Sequence, residues 1–118
     1  MILHIAQVDD WETALQSGYY EGPTLASEGF IHASTPAQAI AVANRLFRGR
    51  QDLILLVIDE QRLTAEIRPE NLEGGSEPYP HIYGPMECDA VESVLPFEPE
   101  PNGTFKLPVV LGSLQWDH

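Results

Sequence analysis

The chain is 118 residues long and 43% hydrophobic, with 18 Asp plus Glu against 6 Lys plus Arg and a formal net charge of −12. A chain of this length and apolar content buries a core without disulfides or metal, so one domain over residues 1–118 is expected rather than a disordered segment. So few cations cannot form the basic stripe that duplex DNA or anionic lipid demands, which argues against bulk nucleic-acid binding.

The opening Ile2-Leu3-His4-Ile5-Ala6 is apolar and stops at Asp9-Asp10, the pattern of a buried strand followed by a helix cap. A helix of about two turns is expected from Asp9 or Asp10, with Trp11, Ala14 and Leu15 on one face and Ser17-Gly18 as its stop. Tyr19 to Pro23 reads as an aromatic, turn-rich loop, and Gly29 as a bend feeding a short strand at Phe30-Ile31-His32-Ala33. Ser34-Thr35-Pro36 combines a hydroxyl cap with a proline suited to the first helical turn. Ala39, Ile40, Ala43, Leu46 and Phe47 then recur at helical spacing, and Arg45, Arg48 and Arg50 complement the helix C-terminus.

Leu53 to Ile58 lacks polar alternation and is expected to be a central strand buried on both faces. A further strand is expected over Leu63 to Arg68, ended by Pro69, followed by a surface loop from Glu70 to Pro80. Cys88 to Phe97 reads as a strand, Glu98 to Gly103 as a solvated turn, and Phe105 to Trp116 as an apolar tail of unassigned packing. Strands outnumber helices and the two helices come early, in the first half, which predicts an α+β fold.

Cys88 is the only cysteine, which excludes an intrachain disulfide and a cysteine-based zinc site. The N-terminus has no basic segment leading into an apolar one, and no apolar run approaches the ~20 residues needed to span a bilayer. A cytoplasmic protein without membrane association is expected.

His4, His32 and His81 each lie beside β-forming neighbours, at a predicted strand edge or a rigid turn. Core histidines held by backbone hydrogen bonds are the plainest explanation of any one alone, and no ligand spacing signals a metal. Their surroundings add more. His32 and Ser34 share a face of an extended chain, as do His81 and Tyr83, and the latter pair is framed by Pro80, Gly84 and Pro85. Arg68 and Glu70 flank Pro69 as a candidate anion contact and a candidate base or ribose-binding carboxylate, against the alternative of a surface ion pair. Glu28 is a second candidate carboxylate. No Walker, GxGxxG, nucleophile-elbow or HExxH motif is present.

The early Leu-His-Ile strand, Gly29-Phe30-Ile31-His32-Ala33-Ser34-Thr35 and Pro80-His81-Ile82-Tyr83-Gly84-Pro85 together resemble the small bacterial family called domain of unknown function 952, over nearly the whole chain. That family looks like a compact relative of the ADP-ribosyltransferase fold, which implies a small, curved, mostly antiparallel sheet. The resemblance implies a ligand-binding role for His4 at the ribose of NAD, with His32 and Ser34 supporting the nicotinamide pocket and His81 or Glu70 assisting transfer. It departs from the transferase toxins in offering His81 and Tyr83 where they use a late glutamate. The chemistry implied is displacement of nicotinamide through an oxocarbenium-like state stabilised by Glu70. Arg68 or His32 would meet pyrophosphate, and Tyr19, Tyr20 or Tyr83 would stack on the ring. NAD is then a substrate and no resident cofactor is implied. The alternatives are a non-catalytic module binding a small or nucleotide-like metabolite in the same cleft, and a three-histidine metal-dependent hydrolase.

Overall fold

In the computed structural model, which describes residues 1–72, 77–108 and 111, β1 (Ile2–Gln7) passes directly into α1 (Val8–Ser17). There follow β2 (Tyr19–Tyr20), the one-turn α2 (Leu25–Glu28), β3 (Ile31–His32), α3 (Pro36–Leu46), β4 (Leu53–Ile58), β5 (Glu66–Glu70), β6 (Tyr79–Tyr83), β7 (Met86–Glu87) and β8 (Val91–Pro96). The fold is α+β with its helices in the first half, and the strands form three small sheets ordered β1-β4-β8, β2-β7 and β3-β6-β5. Every pairing is antiparallel. An isolated bridge joins the first and third sheets, where Leu3 and Ser34 exchange backbone hydrogen bonds of 2.7 and 2.8 Å.

The run at β4 is the middle strand of its sheet, as its unbroken apolar character predicts. One face carries Leu55 and Val57 into a cluster with Leu3, Ala39, Ala43, Phe97 and Phe105. The other carries Leu56 and Ile58 into a second cluster with Trp11, Tyr20, Ile31, Ile82 and Met86. Each fully buried Leu, Ile or Val here contributes roughly 1.5–3 kcal/mol, so this strand anchors both halves of the core. Phe105 and Leu111 from the tail belong to the first cluster; the rest of the tail's packing, at 109–110 and 112–118, lies outside the described residues.

α3 begins where its cap predicts. The Thr35 hydroxyl accepts from the Gln38 N–H at 3.3 Å and the Gln38 side chain accepts from the Thr35 N–H at 3.0 Å, with Pro36 at the first turn. α1 begins earlier than Asp9. Gln7 is its cap residue without a side-chain bond, and Asp9 and Asp10 lie in the first turn, where they complement the dipole instead of capping it. Gly18 ends this helix in the left-handed region at φ 87°, its N–H donating to the Ala14 carbonyl at 2.8 Å.

Further boundaries differ: β5 starts at Glu66 and not Leu63, and the loop expected over Glu70 to Pro80 is strand at both ends. Tyr19-Tyr20 is not loop but a two-residue strand paired to Met86-Glu87. The stretch expected as one strand from Cys88 is split by a 3₁₀ turn over Cys88–Ala90 before β8. β5 runs through Pro69 instead of ending there. Pro69 faces Pro80 in register, and the Pro80 carbonyl accepts from the Ala33 N–H on the β3 side. Pro80 therefore turns its backbone polar groups away from β5, and the two prolines form a non-hydrogen-bonded pair that costs the ladder nothing.

The third sheet positions the site. Ile31, Ile82 and Ile67 lie side by side across its three strands and face the core, so the period-two alternation places His32, His81 and Arg68 in the next row on the opposite face.

Candidate functional site

A cavity of about 190 Å³ lies between this polar sheet face, the end of β1 and the second half of α3. Its lining includes the polar His4, His32, Ser34, Glu70 and His81 together with the apolar Val42, Leu46, Phe47, Leu53 and Leu72. Four segments distant in sequence thus bring five of the expected residues together, with Tyr20 beside them.

His4 points into the apolar face of β1 between Ile2 and Ala6, so both ring nitrogens need partners within the chain. Nδ1–H donates to the His32 carbonyl at 2.5 Å, and Nε2 accepts from the Tyr20 hydroxyl at 2.8 Å. A carbonyl only accepts, which fixes the neutral tautomer. Burial holds the His4 pKa down to about 4, against 6.5 for an ordinary histidine. Burial also pushes the Tyr20 hydroxyl well above its usual range, helped by the nearby Asp10 charge, so Tyr20 keeps its proton and serves as donor. His4 therefore positions the His32 backbone and the Tyr20 ring.

His81, 2% exposed, donates from Nδ1 to the Tyr79 carbonyl at 2.7 Å. In that tautomer Nε2 is a lone-pair acceptor, and among the described residues nothing bonds to it. The His81 and His32 rings are 5.6 Å apart, with Phe30 edge-on to both at 4.7 and 4.9 Å. His32 also faces Glu28, with Nε2 3.5 Å from the carboxylate. Ser34, a possible cap by sequence, instead bridges to Leu3 and lines the cavity.

Glu70 is half-buried and accepts a hydrogen bond from the Tyr83 hydroxyl, a bond that raises the Tyr83 pKa and keeps that proton in place. Arg68 does not line the cavity. Its guanidinium lies 4.6 Å over the Tyr83 ring and pairs with Glu66 at 2.8 Å, which holds the Glu66 carboxyl below its usual range. Tyr19 is 54% exposed and, with Tyr83, lines a different cleft. Tyr83 reaches the main cavity only through its bond to Glu70.

Two charged residues line the cavity that the sequence reading assigned elsewhere. Asp10 reads by sequence as a helix cap and Arg45 as a helix-dipole partner, yet both line the cavity. For Arg45 a weak signal existed: it shares the helical face of Val42 and Leu46, where a cation interrupts an otherwise apolar stripe. Asp10 carried none. Among the described residues no three His, Cys, Asp or Glu side chains are grouped as ligands for a metal ion, and both His4 nitrogens are already engaged. The donor set does not fit the three-histidine hydrolase. No helix among the described residues is long and apolar enough to cross a membrane.

The sequence profile of the family described as protein of unknown function DUF952 matches residues 5–94. The chain belongs to the DUF952 family. The fold is also similar to that of protein CC0527 from Caulobacter crescentus. Its crystal structure superposes with a TM-score of 0.83 at 28% identity, over 94% of this chain and 97% of that one. Its solution NMR structure gives 0.78 at 30% identity, over 90% and 91%. No curated protein matches the sequence. Neither the DUF952 description nor these structures names an activity.

Proposed function

We propose that this DUF952 protein binds a nucleotide-like ligand of the NAD type in the histidine-lined cavity and cleaves its glycosidic bond to nicotinamide. The observation that carries the reading is the convergence of His32, Ser34, Glu70 and His81 on one cavity, with His4 holding two of its walls in place. The apolar wall takes the ring. Glu70 faces the sugar and stabilises the positive charge that develops as the C–N bond breaks and its electron pair leaves with nicotinamide. His81 Nε2 takes the proton of the attacking hydroxyl or water, as its available lone pair allows. Arg45 replaces Arg68 as the expected phosphate contact.

Isothermal titration with NAD, together with chromatography of released nicotinamide, tests the proposal. Wild type is expected to bind and release product. Glu70→Gln is expected to bind within a few-fold and to release at least ~10² more slowly, the scale of a lost electrostatic contribution. Absence of NAD binding in the wild type overturns the reading.

One observation favours a non-catalytic module instead. Arg68 is tied to Glu66 and Tyr83 outside the cavity, leaving Arg45 as the cation that lines it among the described residues. A single cation suits a ligand with little negative charge. Binding of NAD or nicotinamide riboside without any release of nicotinamide would select this second reading.

A further inference from the structure

A second cleft, of about 300 Å³, opens on the surface between Tyr19, Thr64, Ala65, Tyr83, Gly84 and Glu87. β2 and β7 build its floor. Their register sets Tyr19 opposite Glu87, so both side chains emerge on one face, while Tyr20 and Met86 enter the core on the other. The Gly84 turn forms a wall through close packing: a Cβ added at Gly84 would lie 3.0 Å from the Ala65 Cβ.

Glu87 is only half engaged by the fold. One carboxylate oxygen accepts from the Thr64 N–H at 3.0 Å and from the Thr64 hydroxyl at 2.5 Å. These bonds hold the carboxyl below its usual pKa range, so it is charged at neutral pH. The other oxygen, Oε1, is enclosed and has no hydrogen-bond partner, and no described Lys, Arg or His pairs with Glu87. An enclosed acceptor without a donor is uncommon in a folded chain, so the fold leaves this carboxylate's charge uncompensated. Beside it are two tyrosines: Tyr19 with more than half its surface exposed, and Tyr83, whose ring already carries one guanidinium, that of Arg68. An uncompensated carboxylate beside aromatic rings is the chemistry that recognises a planar organic cation. The surrounding half of the chain, residues 59–118, has 12 acids against 3 Lys plus Arg and would draw such a cation in.

We infer that this cleft is a binding site for a guanidinium group, with Glu87 as its counter-charge and Tyr19 and Tyr83 as its walls. It lies outside the histidine-lined cavity, with the Tyr83–Glu70 hydrogen bond running between the two, and does not depend on NAD binding there. The guanidinium comes either from a small metabolite or from an arginine side chain of another protein, and the two sources are separable by experiment.

The test is a ¹H–¹⁵N NMR titration of the full chain with methylguanidinium and, in parallel, with the peptide acetyl-Gly-Arg-Gly-amide and its citrulline counterpart, which is uncharged. Saturable shifts at the Thr64, Gly84 and Glu87 amides are expected with at least one of the two cations and not with citrulline. Response to methylguanidinium as strong as to the arginine peptide assigns a small free cation; response to the peptide alone assigns a partner's arginine. Glu87→Gln keeps an oxygen for Thr64 and is expected to weaken binding at least five-fold. Tyr19→Ala, at an exposed position, should also weaken it. No shifts with either cation, equal shifts with citrulline, or undiminished binding in Glu87→Gln would overturn the assignment.

Discussion

His4 is the residue on which the cavity depends without offering the ligand a ring nitrogen. Its pKa, about 4 in the fold against 6.5 ordinarily, makes a specific demand on stability. The unfolded chain takes up a proton as pH falls below 6.5, whereas the folded chain resists until about 4. The contribution is complete above 6.5 and is lost as pH falls toward 4, an amount of roughly 3 kcal/mol. Urea denaturation of wild type and His4→Gln at pH 7 and pH 4.5 is expected to show a larger acid loss in the wild type by about that amount. Equal losses would mean that His4 accepts a proton without leaving its site. At the same scale, Glu70→Gln separates binding from bond cleavage, because Tyr83 can still donate to the amide oxygen while the charge is gone.

α3 shows what local chemistry decides. Thr35→Ala removes one side of its capping box and is expected to cost about 1 kcal/mol, read as a lower urea midpoint at unchanged slope. This helix and β4 were legible because a cap, a proline and a hydrophobic period act over a few neighbouring residues. β2 was not, since two residues carry no period and Tyr19-Tyr20 becomes a strand only by meeting Met86-Glu87. The end of β5 is not legible locally, because a proline stops a strand only where its missing N–H is needed, and that depends on which neighbour lies on which side. The candidate site divides the same way. His32 with Ser34 and His81 with Tyr83 stood out by residue type beside rigid or strand-like segments, and of the second pair only His81 lines the cavity. Arg68 and Glu70 sat together by alternation, yet only Glu70 reaches the cavity, because the Tyr83 ring and Glu66 capture the guanidinium. Convergence itself was beyond local reading, being created by the pairings of β3 with β6 and β6 with β5 and by the bridge from β1 to Ser34.

Over the whole molecule, the charge of −12 acts against the fold as much as for solubility. Raising ionic strength from about 10 to 300 mM shortens the Debye length from roughly 30 Å to below 8 Å, inside the 13.5 Å radius of gyration. The melting temperature is therefore expected to rise with sodium chloride by calorimetry; a fall would place net stabilisation in surface ion pairs such as Arg50–Asp52. The paired prolines of the third sheet have a consequence of their own between molecules. Because Pro80 directs its polar groups to β3, Pro69 presents its ring nitrogen along the outer edge of β5, where among the described residues no further strand is paired. A strand from a second molecule approaching that edge would find no donor at its centre, and would have to lie against a row of Glu66, Arg68 and Glu70 side chains. The residue that lets the sheet close on β6 without losing a bond thus also takes a donor away from the edge along which a second sheet would add.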